Sequence, residues 1–251
     1  EELKIEDIGF QKTNLAFEVP EADLHIIKTY EETRNFPAVK GTTQLGVHLR
    51  FGTISVRKLA KIAKENNLTF LKELIWREFF MQILYHFPKV VNHSFKGKYD
   101  AIPWENNPEF LEKWKTGETG FPIVDAGMRE LNATGFMHNR VRMITASFLI
   151  KHLLTDWRIG EAYFAEKLMD YDLSANNGNW QWCASSGCDA APYFRIFNPD
   201  EQQKKFDPDF KYIKKWIPEF GTKYYPKPIV EHKKAREKVL KVYKEALDNL
   251  D

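Results

Sequence analysis

Cysteine is scarce in this chain: Cys183 and Cys188 are the only two among 251 residues. That excludes a disulfide scaffold and fits a reducing compartment. The two lie close together with no second Cys or His pair beside them, which argues against zinc. No run of ~18 apolar residues offers a membrane span. The longest apolar stretch, Val141 to Leu154, is broken by Arg142 and Lys151. No basic-then-apolar leader opens the sequence, so the expected location is cytoplasmic, with no membrane partner. There is no phosphate-binding Gly-rich loop, no Ser-His-Asp elbow and no Asp-rich calcium loop. P-loop NTPases, Ser-His-Asp hydrolases and calcium-loop proteins fall away, and no metal is expected. Alternating β patterns and internal repeats are missing as well.

What is present is a chain 43% hydrophobic and 29% charged, long enough to bury a sizeable core without staples. Its length allows one large domain or two small ones. Residues 1–40 hold 5 Lys/Arg against 9 Asp/Glu, whereas residues 204–251 hold 13 against 8. A basic C-terminal segment can attract polyanions, or it can be a solvated helix face. Aromatic residues make up 14%, with seven Trp. Large rings fill cores, and they also stack on flat cofactors and bases.

Residues 1–40 read as a connector of short polar pieces around Gly9 and Pro20, with one possible short helix over Leu24–Thr33. From about residue 55 the signals are helical. Ser55 caps a helix carrying Val56, Leu59, Ile62 and Ala63 at helical spacing. Thr69 is positioned to cap the next, stopped by Pro88. Asn107-Pro108 opens a helix closed by Gly117, and Pro122 opens one closed near Gly135. Asn139 to about Thr155 and Gly160 to Met169 continue the pattern. Residues 171–200, rich in Asn, Gly, Ser and aromatics, have weak helical period and read as a site-bearing loop. A lysine-rich helix after Pro228 ends the chain. The expected fold is an all-α domain over residues 41–251, preceded by the connector.

Three segments carry chemistry. Glu73, Trp76, Arg77 and Phe80 share one helix face. They could be a Glu73–Arg77 surface pair beside core rings, or a carboxylate and an indole facing one cavity. His138-Asn139-Arg140-Val141-Arg142-Met143 opens a helix whose backbone amides, with Arg140, suit a phosphate or carboxylate. Arg142, two residues on, points elsewhere, about 200° around the helix. Asp170-Tyr171-Asp172-Leu173-Ser174-Ala175-Asn176-Asn177-Gly178-Asn179-Trp180-Gln181-Trp182 packs two carboxylates, several amides and two indoles together. It is either a dense polar site or an Asx-turn-rich loop. Carboxylate pairs also serve glycoside hydrolysis.

Taken together, these segments resemble the flavin-binding domain of the photolyase/cryptochrome family. The resemblance is carried by Thr42-Thr43-Gln44-Leu45-Gly46, Glu73-Leu74-Ile75-Trp76-Arg77-Glu78-Phe79, Thr119-Gly120-Phe121-Pro122-Ile123-Val124-Asp125-Ala126 and Met128-Arg129. It continues in Gly135-Phe136-Met137-His138-Asn139-Arg140, Asp156-Trp157-Arg158 and Asn176-Asn177-Gly178-Asn179-Trp180-Gln181-Trp182, in order from about Tyr30 to Phe206. Met143 and Trp182 are similar to the class I branch that repairs cyclobutane pyrimidine dimers.

The resemblance implies a non-covalent FAD, active when reduced, and light-driven splitting of a dimer flipped out of UV-damaged DNA. It assigns Tyr30, Thr42, Thr43, Gln44, Leu45, Arg77, Asn139, Arg142, Asp170, Asp172 and Asn176 to the cofactor, with Arg142 paired to Asp170 and Asn176 beside flavin N5. It assigns Glu73, Trp76, Met143 and Trp182 to the dimer, Asn139 and Arg140 to DNA phosphates, and Arg34 and Gln202 to outer contacts. Trp180, Trp157 and Trp104 match an electron-hopping chain from flavin to surface. A monomer is expected. The α/β antenna domain of such proteins has no counterpart in these residues, so the antenna chromophore is not assigned. Gly46 departs from the commoner serine, which removes one hydroxyl from the phosphate site. Two other readings stay open: a cryptochrome-like photoreceptor using the same flavin and relay, and a DNA-binding fragment without working flavin.

Overall fold

The computed structural model describes residues 3–11 and 21–248; residues 12–20 of the expected connector lie outside them. Among the described residues there are twelve α-helices and no strand, which bears out the all-α expectation. In order they are α1 Leu24–Thr33, α2 Gly46–Phe51, α3 Val56–Asn66, α4 Leu68–His86, α5 Pro108–Thr116 and α6 Pro122–Thr134. Then follow α7 Asn139–Lys151, α8 Trp157–Lys167, α9 Leu173–Ala184, α10 Pro199–Phe206, α11 Lys211–Trp216 and α12 His232–Asp248. No helix among them is long and apolar enough to cross a membrane.

Local chemistry explains most boundaries. The Ser55 hydroxyl accepts from the Lys58 N–H, and the Asn107 carboxamide accepts from Glu109 and Phe110, as N-caps do. Gly117 and Gly135 close α5 and α6 in the left-handed region, at φ 70° and 68°. The cap of α4 is Asn67, not Thr69: its side chain accepts from the Phe70 N–H at 3.0 Å, and Thr69 is already inside the helix. Helix α8 starts earlier than the apolar pattern indicates, because Asp156 caps it and accepts from the Arg158 N–H at 3.0 Å.

Two corrections concern larger pieces. The stretch 171–200 is not one loop, since α9 occupies its first half. Helix α9 packs against α4, α7 and α8 at once, so it has no single apolar stripe for a periodicity to show. Its buried amides are satisfied internally. Asn177 and Gln181 both donate to the Val90 carbonyl, at 2.9 and 3.0 Å, and Gln181 accepts from the Phe95 N–H at 2.8 Å. Two glycines permit the close approach. A Cβ on Gly160 of α8 would lie 2.2 Å from the Trp180 ring, and one on Gly178 of α9 2.1 Å from the Phe80 ring of α4. The second correction is at the expected connector. Helix α1 lies within 1–40, yet it packs on α3 and α4 with Ile27 fully buried, so the packed body begins before residue 41.

The core falls into one large and two small clusters. The large one gathers Trp114, Phe148, Trp157, Phe164 and Trp180 around α6, α7 and α8. A smaller one joins α1, α3 and α4 through Ile27, Leu59, Phe70 and Leu74. The third seats α12 through Val239, Tyr243 and Leu247. The lysines of α12 occupy its exposed face, the solvated-face reading of the basic C-terminal charge.

Candidate functional site

Beside the large cluster lies a cavity walled by α7, α8, α9 and the segment before α9. Arg142 reaches into it from α7. Its Nη2 donates to Asp170 Oδ2 at 2.9 Å and its Nε to the Met137 carbonyl at 2.7 Å, which fixes the guanidinium. Asp170 Oδ1 is buried and has no partner. A buried carboxylate oxygen without a donor is costly, so this wall is built to meet an N–H or O–H from something in the cavity. Asp172 caps α9, accepting from the Ala175 N–H at 3.1 Å and from the Ser174 hydroxyl. Asn176 Nδ2 donates to the Glu161 carbonyl at 3.1 Å and its carboxylate at 2.8 Å. Burial pushes the Glu161 carboxyl upward, and the amide donor partly offsets this. Trp180 closes the back of the cavity, with Phe164 and Trp114 edge-on against it.

A second, more open cavity adjoins the first. Asn139, Met143, Ala175, Asn179 and Trp182 line both, so the partition between them is one side chain thick. Glu73, Trp76, Arg77 and Arg34 face the outer cavity. The Glu73–Arg77 pair read from helical spacing does not form. Glu73 pairs with Arg34 at the end of α1, and Arg77 Nη2 donates to the Leu49 carbonyl at 3.2 Å. Folding places Arg34 in reach, and this half-sheltered pair replaces a solvated i,i+4 contact worth ~0.2–0.5 kcal/mol. Trp76 is 41% exposed and leans on Phe79 and Phe80.

Arg140 turns away from Arg142, as the helix geometry requires. Its Nη2 donates to Asn35 Oδ1 at 2.7 Å, and its guanidinium lies 4.4 Å from the centroid of the Phe206 ring. Burial, then the charges of Arg34 and Arg195, lower its pKa. Arg195 therefore belongs to the same basic cluster, and sequence reasoning missed it. It stands in the loop before α10 without a motif of its own. His138, capping α7 beneath this cluster, is pushed down to about 4, first by burial and then by Arg142, Arg140 and Arg34.

The remaining candidates fall elsewhere. Tyr30 packs edge-on against Phe70, and burial pushes its hydroxyl up to about 12. Thr42, Thr43, Gln44 and Leu45 are not on the wall of either cavity. They lead into α2, Leu45 is buried in the small cluster, and Gln44 takes φ 54°. Helix α2 itself touches the inner wall. A Cβ on Gly46 would lie 2.8 Å from Asp170 Oδ2, and Arg50 Nε donates to the Tyr171 carbonyl at 2.9 Å. Gln202 sits on α10, off both walls. Trp180, Trp157 and Trp104 share the large cluster with graded burial: cavity wall, deep core, and partly exposed. No group of three or more metal-ligating side chains occurs among the described residues.

Comparison with known proteins agrees with this geometry. Residues 70–223 match the family described as the FAD binding domain of DNA photolyase. The chain is 47% identical over 246 residues to the deoxyribodipyrimidine photo-lyase of Escherichia coli K12, covering 86% of this chain and 52% of that protein. It is 43% identical to the enzyme of that name from Halobacterium salinarum, covering 88% of this chain and 53% of that protein. Among solved structures, a bacterial class III photolyase from Agrobacterium tumefaciens superposes with TM-score 0.84 at 42% identity, over 88% of this chain and 53% of that one. An archaeal photolyase from Sulfolobus tokodaii, solved with two FAD molecules, gives 0.83 at 44%, over 88% and 55%. A Synechocystis cryptochrome gives 0.79 at 31%, over 87% and 52%. The helical fold is that of a photolyase-type flavin-binding domain. The chain belongs to the photolyase family, and it spans about half the length of the relatives it matches.

Proposed function

We propose that this chain is the flavin-binding, catalytic part of a light-driven DNA repair enzyme that splits cyclobutane pyrimidine dimers. The observation that carries the reading is the shared partition. Two adjoining cavities, separated by Met143, Trp182 and Asn139, allow a buried cofactor and an extruded lesion to lie within electron-transfer reach. The donor set of the inner cavity suits FAD: the unpartnered Asp170 oxygen would take a donor from the cofactor, and Arg142 balances the carboxylate's charge. FAD in its reduced form supplies the photoexcited electron.

The protein's own residues do the rest. Trp76 and Trp182 present flat faces on either side of the outer cavity, and Glu73 accepts hydrogen bonds from pyrimidine N–H groups. Arg140, with Arg34 and Arg195, takes backbone phosphates. Asn176 lines the inner cavity with its amide nitrogen held by Glu161, which leaves its carbonyl oxygen as an acceptor. Trp180, Trp157 and Trp104 carry electrons between that cavity and the surface. The substrate is DNA, and the protein is expected to act on it as a monomer.

The Synechocystis cryptochrome shares the fold, and a photoreceptor is the alternative. The outer cavity favours repair, because signalling needs no lesion pocket with a carboxylate and an indole on its wall. The test is to purify the FAD-loaded protein, reduce it, and illuminate it with single-stranded DNA carrying a thymine dimer. Loss of the dimer in light and not in darkness supports repair. No loss, with normal flavin photochemistry, supports the photoreceptor. A colourless protein that still binds DNA indicates the flavin-free alternative.

A further inference from the structure

We propose that Arg34 is a positioning residue that holds Glu73 until a DNA phosphate replaces the carboxylate, so that contact with the backbone releases the group that reads the base. The inference rests on the repair reading of the outer cavity and adds an order of events to it.

Glu73 is the carboxylate on the outer wall, and its Oε1 is engaged by Arg34 Nη1. Its helical neighbour Arg77 is committed to Leu49 instead. Arg34 stands at the end of α1, with its guanidinium carbon 5.2 Å from the centroid of the Tyr30 ring. The pair is half-sheltered, with side chains 22% and 33% exposed, so it is accessible to a ligand. Arg140 is close enough to feel the charges of both Arg34 and Arg195. Arg34 alone engages this carboxylate, and neither Arg140 nor Arg195 has an acidic partner among the described ion pairs, so positive charge near Arg34 is left over for an incoming anion. Arg140 is already oriented by Asn35 and Phe206, so its position is set before any ligand arrives.

A phosphodiester entering this rim does two things by Coulomb's law. It competes for the Arg34 donors, and it places a second anion beside Glu73. Both weaken the Arg34–Glu73 contact and free Glu73 Oε1, already on the cavity wall, to accept from a pyrimidine N–H. A base without its phosphate must break the ion pair uncompensated. Undamaged DNA takes Arg34 and leaves Glu73 exposed without a donor, which penalises the wrong ligand.

The test uses FAD-loaded protein in the dark, with binding as the readout. Three ligands are compared: a single-stranded oligonucleotide with one thymine dimer, the same sequence undamaged, and the thymine cyclobutane dimer as free bases. In R34Q, affinity for the dimer oligonucleotide falls about tenfold, whereas affinity for the free-base dimer rises about threefold. In E73Q, affinity for undamaged DNA rises about threefold, because Arg34 is free. If R34Q does not fold, R34K gives the same signs with smaller size. Equal losses for both dimer ligands in the arginine variants, in a protein that still prefers damaged DNA, overturn the proposal alone. A wild-type protein with no preference for the dimer overturns the repair reading, and this proposal with it.

Discussion

The two cavities adjoin, yet they are built differently. The inner one is set into the large core, where Trp180 is 2% exposed and glycine lets α8 press on its ring. Its charged pair, Arg142–Asp170, is anchored by a second hydrogen bond to Met137. The outer one rests on α4, whose Trp76 is 41% exposed and whose carboxylate borrows its partner from a different helix. Close packing allows few alternative arrangements, whereas a half-exposed helix face with an exchangeable ion pair allows several. The difference suits a permanent cofactor on one side and a visiting polymer on the other.

That contrast can be tested by substitution. Trp180→Ala opens a hole in the core and is expected to cost about 3–5 kcal/mol, whereas Trp76→Ala costs less than about 1. Urea unfolding of both variants measures this, and equal losses remove the distinction. Acid attacks the start of α7 next. His138 is held neutral, with its pKa near 4 in the folded protein against 6.5 unfolded. Between those values the unfolded chain binds more protons, so stability falls as pH drops from 6.5 toward 4, by at most about 1.4 kcal/mol per unit. His138→Gln should flatten that slope in a pH series of unfolding curves.

Gly160→Ala is expected to cost about 1–3 kcal/mol, because the Trp180 ring has nowhere to move. Gly178→Ala should cost less, because half-buried Phe80 can turn into the outer cavity. Thermal melts of the pair rank the rigidity of the two sides. A small stability change, under about 1.5 kcal/mol, is expected for Trp180→Phe, which keeps a ring in place. It should nevertheless abolish light-driven reduction of the oxidised flavin while sparing repair by chemically reduced protein. Absorption spectroscopy after illumination checks it, and normal photoreduction removes Trp180 from the relay.

Much of this was legible in the chain because local signals and tertiary structure agree. Ser55, Asn107, Gly117 and Gly135 bound their helices by cap chemistry that operates within a few residues. Arg140 and Arg142 diverge as their spacing demands, and Arg142 meets Asp170 as the family resemblance implies. What was hidden depends on partners far away in sequence. Helix α9 is concealed because three helices surround it, so its pattern reflects three environments. Glu73 meets a residue 39 positions away, which no helical wheel contains. Arg195 joins its cluster only when the loop before α10 folds back toward Arg140. The expected boundary at residue 40 followed composition, whereas α1 is bound to the body by Ile27.

The partition made by Asn139, Met143, Ala175, Asn179 and Trp182 has a thermodynamic corollary. Side chains that touch two ligands at once make the two affinities mutually dependent, and the dependence is reciprocal. If lesion DNA slows escape of the flavin by tightening its equilibrium hold, then loading with flavin must tighten lesion binding by the same factor. Cofactor titrations with and without DNA would thus report on both chambers from either side.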